Sequence, residues 1–187
     1  MTKYEHEVKM LLTRMEYEQI IQVFEKLPCK DIFQTNYYYD TNNQMLRKQN
    51  TTMRIRKKEN RLKGTLKQHC ENDCSSLEMD FYVDLVPETM LYNSEILRMM
   101  GKLYTERKEF FLSDSMQIVL DRNEYLNYVD YELEIECTKD SVDNAKAIII
   151  IIRDLLKINT NIQSISKSER FFRRLELINK VIAQGKR

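Results

Sequence analysis

Like charges recur at every second position in segments whose composition favours β-strands. Two such repeats are Arg54 with Arg56 and the trio of Glu132, Glu134 and Glu136. Strand side chains point alternately to opposite faces, so each repeat gathers like charges on one face, where they repel one another. Arginine binds phosphate oxygens, and carboxylates bind the hard cations Mg²⁺ and Mn²⁺. Binding a polyphosphate that is bridged by a divalent ion needs both a basic and an acidic face.

Charged and polar residues recur at every second position along other predicted strands as well. They are Glu5, Glu7 and Lys9; Thr65 and Lys67; Glu78 and Asp80; Arg107 and Glu109; with Asp121 closing its strand. A half-buried strand often alternates apolar residues with solvated charges and needs no function to do so. Because this alternation recurs on several strands, it favours charged strand faces that lie opposite one another. Spacing alone leaves open whether these faces line a tunnel or meet bulk water.

About eight predicted strands, with helices added, must position these charges. Strands are predicted over 4–12, 33–39, 51–57, 62–68, 76–85, 103–112, 116–120 and 128–137, with a short one near Ile165. Helices are predicted over 16–26, 87–100, 142–156 and 168–184, with Ser141 as N-cap of the third. Regular strand spacing without parallel crossovers predicts a mainly antiparallel α+β domain, residues 1–187, whose sheet curls or closes.

Composition excludes several common ways of binding nucleotides and metals. Three glycines leave no phosphate-binding loop and no dinucleotide fingerprint, and two histidines exclude an HExxH zinc site. Phosphate must therefore be bound by side chains. A net charge of +1 gives no general case for nucleic acid, although the last predicted helix carries a basic cluster of Lys167, Arg170, Arg173 and Arg174.

The sequence carries no sign of export or of a membrane span. The first fifteen residues are charged, unlike a signal peptide, and the longest apolar run is residues 147–152. A bilayer needs about 20 apolar residues. The four cysteines are therefore expected to be reduced thiols of a cytoplasmic protein. The five isoleucines of 148–152 are expected on the buried side of their helix or at the seam of a homodimer.

Seven motifs, in order, resemble those of the CYTH proteins, also called triphosphate tunnel metalloenzymes. They are Glu5–Lys9 (ExExK), Asn36–Thr41 (NxYYDT), Met53–Arg56, Thr65–Lys67, Val119–Asp121, Glu132–Glu136 and Ser166–Ser168. ExExK alone is a weak signal, whereas seven motifs in the family's order, over residues 4 to about 172, are specific. The chain is similar to the Firmicute CYTH proteins of this length, which are often labelled adenylate cyclases.

The resemblance implies an eight-stranded closed antiparallel β-barrel, a tunnel for a triphosphate, with helices packed outside. It implies that Mg²⁺ or Mn²⁺ is held by Glu5, Glu7, Asp121, Glu132 and Glu134. It implies that phosphate is bound by Lys9, Arg54, Arg56, Lys67, Arg107 and Lys167. Glu78 matches a catalytic carboxylate that orients basic groups or metal-bound water. The sequence departs from the family at Thr105, where many members carry a second base.

The activity implied is metal-dependent hydrolysis of a triphosphate, foremost inorganic tripolyphosphate. Hydrolysis of thiamine triphosphate or ATP and cyclisation of ATP by a class IV-type adenylate cyclase remain alternatives, because no motif defines an organic portion. A non-catalytic polyphosphate- or nucleotide-binding module would lose the metal ligands, which this chain retains. Nucleic-acid binding through the terminal basic cluster is disfavoured, since a charge run on a helix is usually a solvated face.

Overall fold

Nine strands and four α-helices form the described part of the computed structural model, residues 2–70, 74–158 and 165–185. The strands are β1 (Thr2–Leu12), β2 (Cys29–Asp40), β3 (Thr51–Lys58), β4 (Arg61–His69), β5 (Ser75–Tyr82), β6 (Thr89–Tyr92), β7 (Glu95–Ser113), β8 (Met116–Tyr125) and β9 (Tyr128–Cys137). The helices are α1 (Arg14–Phe24), α2 (Met45–Lys48), α3 (Val142–Leu156) and α4 (Lys167–Gly185).

Eight of the strands close into an antiparallel barrel. The order around it is β2-β3-β4-β5-β1-β9-β8-β7, and β7 pairs back with β2. Among the described strands, β6 pairs with β7 alone and is additional to the closed sheet. This confirms the eight-stranded closed barrel, an arrangement that leaves no barrel strand with an unpaired edge. Of the described helices, none is long and apolar enough to span a bilayer.

Two-residue turns with left-handed backbone join neighbouring strands. Glu59 has a φ of 53° between β3 and β4, and Leu126 and Asn127 have φ values of 48° and 56° between β8 and β9. Positive φ at both residues of the Leu126–Asn127 turn is the type I′ geometry, whose twist matches that of the strands it connects, whereas in the β3–β4 turn only Glu59 has positive φ. Such turns fix the register, and the register decides which side chains face the barrel interior.

Strands β6 and β7 take up residues 89–92 and 95–100, so the helix predicted over 87–100 is wrong. β6 and the start of β7 make a hairpin around Asn93 and Ser94, whose φ values are 46° and 65°. Pro87 resembled a helix start. However, Leu91 is exposed and its two neighbours are half-buried, which is the two-residue period of a strand. Pairing with β2, distant in sequence, overrides the local preference.

Helices α1 and α3 pack against the outside of the barrel. They share an apolar core with outward-facing strand residues, and this core includes Ile20, Ile149, Ile152, Met10 and Leu133. The expectation that the five isoleucines lie on the buried side of the helix is wrong for Ile150 and Ile151, which are 41% and 55% exposed, and the homodimer seam stays a prediction. Successive helical residues turn by about 100°, so five in a row cannot share one face. Ser141 precedes α3, but its side chain makes no capping hydrogen bond.

Helix α4 covers one end of the barrel. Its Phe171 and Phe172 pack with Tyr38, Leu103 and Tyr125, which lie on the inward face at that end. The short strand expected near Ile165 is absent at residues 165 and 166, just before α4 begins, and residues 159–164 lie outside the described part of the chain.

Gly101 allows α4 to pack closely against the barrel. Gly101 lies where the register between β2 and β7 shifts, has a φ of 151°, and faces Phe171. A Cβ atom at this position would stand 2.7 Å from the Phe171 ring. Both the backbone conformation and the close approach therefore require glycine.

We expect Gly101→Ala to lower the free energy of unfolding by about 1–3 kcal/mol, because the new Cβ strains the backbone and displaces Phe171. Denaturant titration measures the change. Gly185→Ala is the control: nothing lies within 4 Å of a Cβ built there. Equal stability of the two variants would contradict the packing assigned to Gly101.

Candidate functional site

The twelve residues predicted to do chemistry meet inside the barrel. Eleven lie on the inward faces of seven strands and one enters from the first turn of α4: Glu5, Glu7, Lys9, Arg54, Arg56, Lys67, Glu78, Arg107, Asp121, Glu132, Glu134 and Lys167. Asp121 and Glu132 have no exposed surface, and Glu78 exposes 1% of its surface. The charged faces therefore line an interior lumen and do not meet bulk water.

Three carboxylates converge on the ammonium group of Lys167. Its Nζ lies 2.9 Å from Asp121, 2.8 Å from Glu132 and 2.7 Å from Glu134. Burial by itself lowers the pKa of Lys167, but the carboxylates raise it well above its usual value. Three acidic residues from two adjacent strands thus already surround one positive charge.

A second group of carboxylates surrounds Lys67. Its Nζ bonds Glu5 and lies 3.6 Å from Glu78 and 3.8 Å from Glu7, which also accepts a 2.5 Å bond from Lys9. Burial raises the pKa of the Glu5 carboxyl, but Lys67 and Arg54 outweigh it and hold that pKa below its usual value. Lysine therefore compensates both groups of carboxylates.

Arg107 binds two carboxylates of the group around Lys167 and, in addition, Glu136. It holds Asp121 through two hydrogen bonds of 2.9 and 2.8 Å, Glu134 at 2.9 Å and Glu136 at 2.8 Å. Burial raises the pKa of the Glu136 carboxyl in spite of this contact. A single guanidinium thus neutralises several inward acids.

One wall of the lumen presents donors without acceptors. Arg56 donates its Nε–H to Asn36 at 2.9 Å, and no described carboxylate lies within 4.0 Å of it. Burial, together with repulsion from Arg54 and Arg107, lowers the pKa of Arg56 to about 10. Arg54 Nε, Asn36 Nδ2 and Gln34 Nε2 are also buried and have no hydrogen-bond partner. Such a wall is suited to an anion.

The carboxylates are chemically suited to bind a divalent cation, but their present arrangement does not form a site for one. Over residues 2–70, 74–158 and 165–185, no three acidic, histidine or cysteine side chains form a ready metal cage. The reason is that lysine and arginine already occupy the space between them, and the remaining cavity is only about 50 Å³. Carboxylate oxygens are nevertheless the ligands that Mg²⁺ and Mn²⁺ prefer, and around Lys167 they already enclose a positive charge.

Sequence reasoning missed Arg170. It was assigned to a solvated basic face, but its side chain is only 9% exposed and bonds Asp130 and Glu132. The available signal was spacing, because residues three apart share a helix face and Lys167 enters the lumen. Arg173 is 60% exposed and pairs with Glu169. The four bases therefore do not form one patch for nucleic acid.

The departure at Thr105 leaves a neutral layer in the lumen. Thr105 is buried and donates to Asn123 at 2.8 Å. Asn123 in turn donates to Asp130 at 3.0 Å. Gln34 is the cross-strand neighbour of Thr105, and its amide nitrogen is unpartnered. Where many family members carry a base, this chain has uncharged hydrogen-bonding groups.

His69 should make stability depend on pH. Burial, with repulsion from Lys67 and Lys9, lowers the pKa of His69 to about 4 from 6.5. Between these values the unfolded chain binds the proton more readily, so stability falls as pH decreases from about 6.5 to about 4. His69→Gln should remove this contribution, which reaches at most about 1.4 kcal/mol per pH unit.

The free energy of unfolding, measured across that pH range, checks this expectation. His6→Gln is the matched control because His6 is the other histidine of the chain. The same pH slope in His69→Gln and in the unmodified chain would show that His69 is not held neutral by burial.

Comparison with known proteins shows to which family this chain belongs. Residues 3–172 match the CYTH domain. A Bacillus subtilis protein named "Putative triphosphatase YjbK" is 30% identical over 148 residues, which cover 71% of this chain and 76% of that protein.

Solved structures share the fold. A Bacillus halodurans structure, described as "a putative adenylate cyclase", has a TM-score of 0.73 and 24% identity, over 91% of this chain and 98% of that one. A Hippeastrum structure, described as "Putative adenylyl cyclase HpAC1" with a dominant triphosphatase activity, has a TM-score of 0.72 and 17% identity, over 89% and 94%. Identity at this level supports the barrel alone. The domain match along almost the whole sequence establishes that this chain belongs to the CYTH family.

Proposed function

We propose that this protein hydrolyses a triphosphate held in the lumen, and that inorganic tripolyphosphate is the substrate. The observation that carries the proposal is Arg56, an inward cation beside Arg54 and Arg107 without a described carboxylate within 4.0 Å. An enclosed charge without a counter-charge is unfavourable by several kcal/mol. A linear anion along the donor wall would compensate it.

The basic side chains would divide the binding of phosphate. Arginine offers a planar fork that matches two phosphate oxygens, while lysine acts as a mobile point charge. The proposed phosphate ligands are Lys9, Arg54, Arg56, Lys67, Arg107 and Lys167. Glu78 lies 3.1 Å from Arg54 and 3.6 Å from Lys67, so its role is to position these two bases.

The carboxylates would hold the metal after phosphate has drawn lysine and arginine away from them. The proposed ligands of Mg²⁺ or Mn²⁺ are Glu5, Glu7, Asp121, Glu132 and Glu134. A bound ion of this kind neutralises phosphate charge and polarises a water molecule. The histidines of the chain are not needed as a base: His69, whose pKa burial lowers to about 4, is a poor proton acceptor at neutral pH.

Hydrolysis is preferred to cyclisation, which needs a surface for the base and ribose of ATP. Five aromatic residues could stack on a base, and they do not decide the choice. Tyr39 and Phe110 are buried in apolar cores and Tyr38 packs against α4, while Tyr37 is half-buried and Phe111 is exposed. YjbK is named a triphosphatase, and HpAC1 is described by its dominant triphosphatase activity, which supports hydrolysis.

Phosphate release from tripolyphosphate, ATP and thiamine triphosphate, each with Mg²⁺, Mn²⁺ or a chelator, tests the proposal. A parallel assay measures cyclic AMP formed from ATP. We expect metal-dependent release that is fastest from tripolyphosphate, with no cyclic AMP. Formation of cyclic AMP, or tight tripolyphosphate binding without turnover, would overturn it.

Glu134→Gln should reduce the metal-dependent kcat by at least about 100-fold, because it removes the charge from a proposed metal ligand. Glu106→Gln is the matched control: Glu106 is exposed on the outer face of β7 and pairs with Arg122. Circular dichroism establishes that both variants are folded. Unchanged turnover in a folded Glu134→Gln would remove this residue from the metal site.

Arg56→Gln should weaken tripolyphosphate binding by about 10- to 100-fold, the effect of losing one or more charge-assisted hydrogen bonds. Binding of orthophosphate should weaken less, since a single phosphate can use the other bases. Titration calorimetry in metal-free buffer measures both affinities. Lys57→Gln, an exposed neighbour on the opposite strand face, is the control. An equal loss for both anions would argue against a linear triphosphate along Arg56.

A further inference from the structure

Helix α3 carries a stripe of apolar side chains that lies in solvent, on a side of the helix turned away from the barrel. Ile149 and Ile152 form the buried side of α3 and pack on the outer wall made by β1 and β9. Ala147, Ile151 and Leu155 are exposed and follow one another at four-residue spacing, so they form one row, which we call the α3 stripe. A contiguous exposed apolar surface of this kind is typical of an interaction site.

Helix α1 adds apolar surface at the C-terminal end of α3. Gln19 of α1 donates from Nε2 to the backbone oxygen of Leu156 at 3.4 Å, so the two helices lie side by side there. Met15 and Val23 lie four residues before and after Gln19, on the same face of α1, and are 80% and 57% exposed. These side chains therefore stand beside the end of the α3 stripe that carries Leu155.

The order of side chains in the α3 stripe is complementary to itself. In an antiparallel pair of α3 helices with a two-fold axis beside Ile151, this residue meets the partner's Ile151. Ala147 and Leu155 lie four residues on either side of the axis, so Ala147 faces the partner's Leu155 and Leu155 faces the partner's Ala147. A small residue opposite a large one allows the two helix surfaces to interlock.

The charged edge of the stripe is complementary to itself in the same arrangement. The residues of this edge, within about 80° of one another around the helix, are Asp143, Lys146, Asp154 and Lys157. The two-fold axis brings Lys146 to within about 3 Å of the level of the partner's Asp154, an offset that the lysine side chain can cover. Asp143 has the same relation to the partner's Lys157. Because symmetry repeats each contact, two kinds of ion pair become four.

These charged groups are available to a partner. The side chains of Asp143 and Asp154 are 96% and 64% exposed. Their ion pairs among the described residues are to bases close in sequence, Lys146 at 3.5 Å and Arg153 at 3.2 Å. Lys157 is exposed and has no ion pair within 4.0 Å to an acid of the described residues. Acids beside the stripe also disfavour docking on an anionic bilayer.

We propose that a second copy of this chain docks on the α3 stripe, so that the protein is a two-fold symmetric homodimer with its axis beside Ile151. Both the order of the apolar side chains and the order of the edge charges match another copy of the same surface, a symmetry that an unrelated partner does not require. The residues of α3 do not line the lumen, so the inference is independent of the function proposed there.

Light scattering coupled to size-exclusion chromatography tests the interface. We expect the unmodified protein at about 50 μM to have twice the chain mass of 22.6 kDa. Ile151→Glu/Leu155→Glu should have the mass of one chain, because it places unpaired charges in the centre of an apolar seam. Val181→Glu/Ile182→Glu is the matched control: both residues are exposed apolar side chains of another helix, α4, and this variant should remain a dimer. Circular dichroism establishes that both variants are folded.

Exchange of the edge charges tests the symmetry. Lys146→Asp alone and Asp154→Lys alone each place like charges opposite one another and should weaken dimerisation about tenfold. The double exchange Lys146→Asp/Asp154→Lys restores opposite charges and should return the dimer dissociation constant to within about threefold of the original. The two positions are about 12 Å apart along one helix, so only contact between copies can produce this rescue.

Sedimentation velocity measures these dissociation constants. An unmodified protein that is monomeric at about 100 μM would overturn the proposal. So would a dimer that persists in Ile151→Glu/Leu155→Glu, a dimer lost in the α4 control, or a double exchange that is no tighter than the single ones.

Discussion

The pairing of opposite charges inside a closed barrel is the constraint on which the structure depends. Ionised groups removed from water are unfavourable by several kcal/mol each unless a partner compensates them. In the lumen Lys167 compensates Asp121, Glu132 and Glu134, while Lys67 compensates Glu5 and lies near Glu78. In the proposed function, ligand binding is an exchange of partners, in which phosphate takes the cations and a metal takes the carboxylates. Each ligand then makes the site more favourable for the other, a reciprocal coupling of the two.

A few elements of the fold are sufficient to bring these opposite charges together. Antiparallel strands alternate their side chains, so each strand supplies inward charges and an outward apolar face for α1 and α3. Helix α4 contributes to both the site and the core within one turn and a half. Lys167 and Arg170 enter the charged lumen, while Phe171 packs on Tyr38 and Gly101 at the covered end. A change in the position of α4 would therefore alter phosphate binding and stability together.

The alternation of charges predicted which strand residues share a face, because a two-residue period is a local property of the chain, whereas the family resemblance was needed to predict that these faces point inward. Contacts between residues far apart in sequence are not visible in a local pattern, and three features depend on such contacts. The hairpin around Asn93 and Ser94 is defined by its partner β2 and was predicted as a helix. Arg170 is buried only because α4 lies over β9. Arg56 is proposed as an anion site because no carboxylate of the described residues lies within 4.0 Å of it, which spacing along the chain does not reveal.

A crystal structure with Mn²⁺ and tripolyphosphate tests the central claim most directly, since anomalous scattering locates the metal independently of the phosphate. The account predicts manganese bound to carboxylates of the set Glu5, Glu7, Asp121, Glu132 and Glu134. It also predicts that the phosphate chain lies along Arg54 and Arg56, with the Lys167 ammonium moved from the carboxylates to phosphate oxygens. Manganese and triphosphate bound outside the barrel, with the ion pairs of the lumen intact, would contradict it.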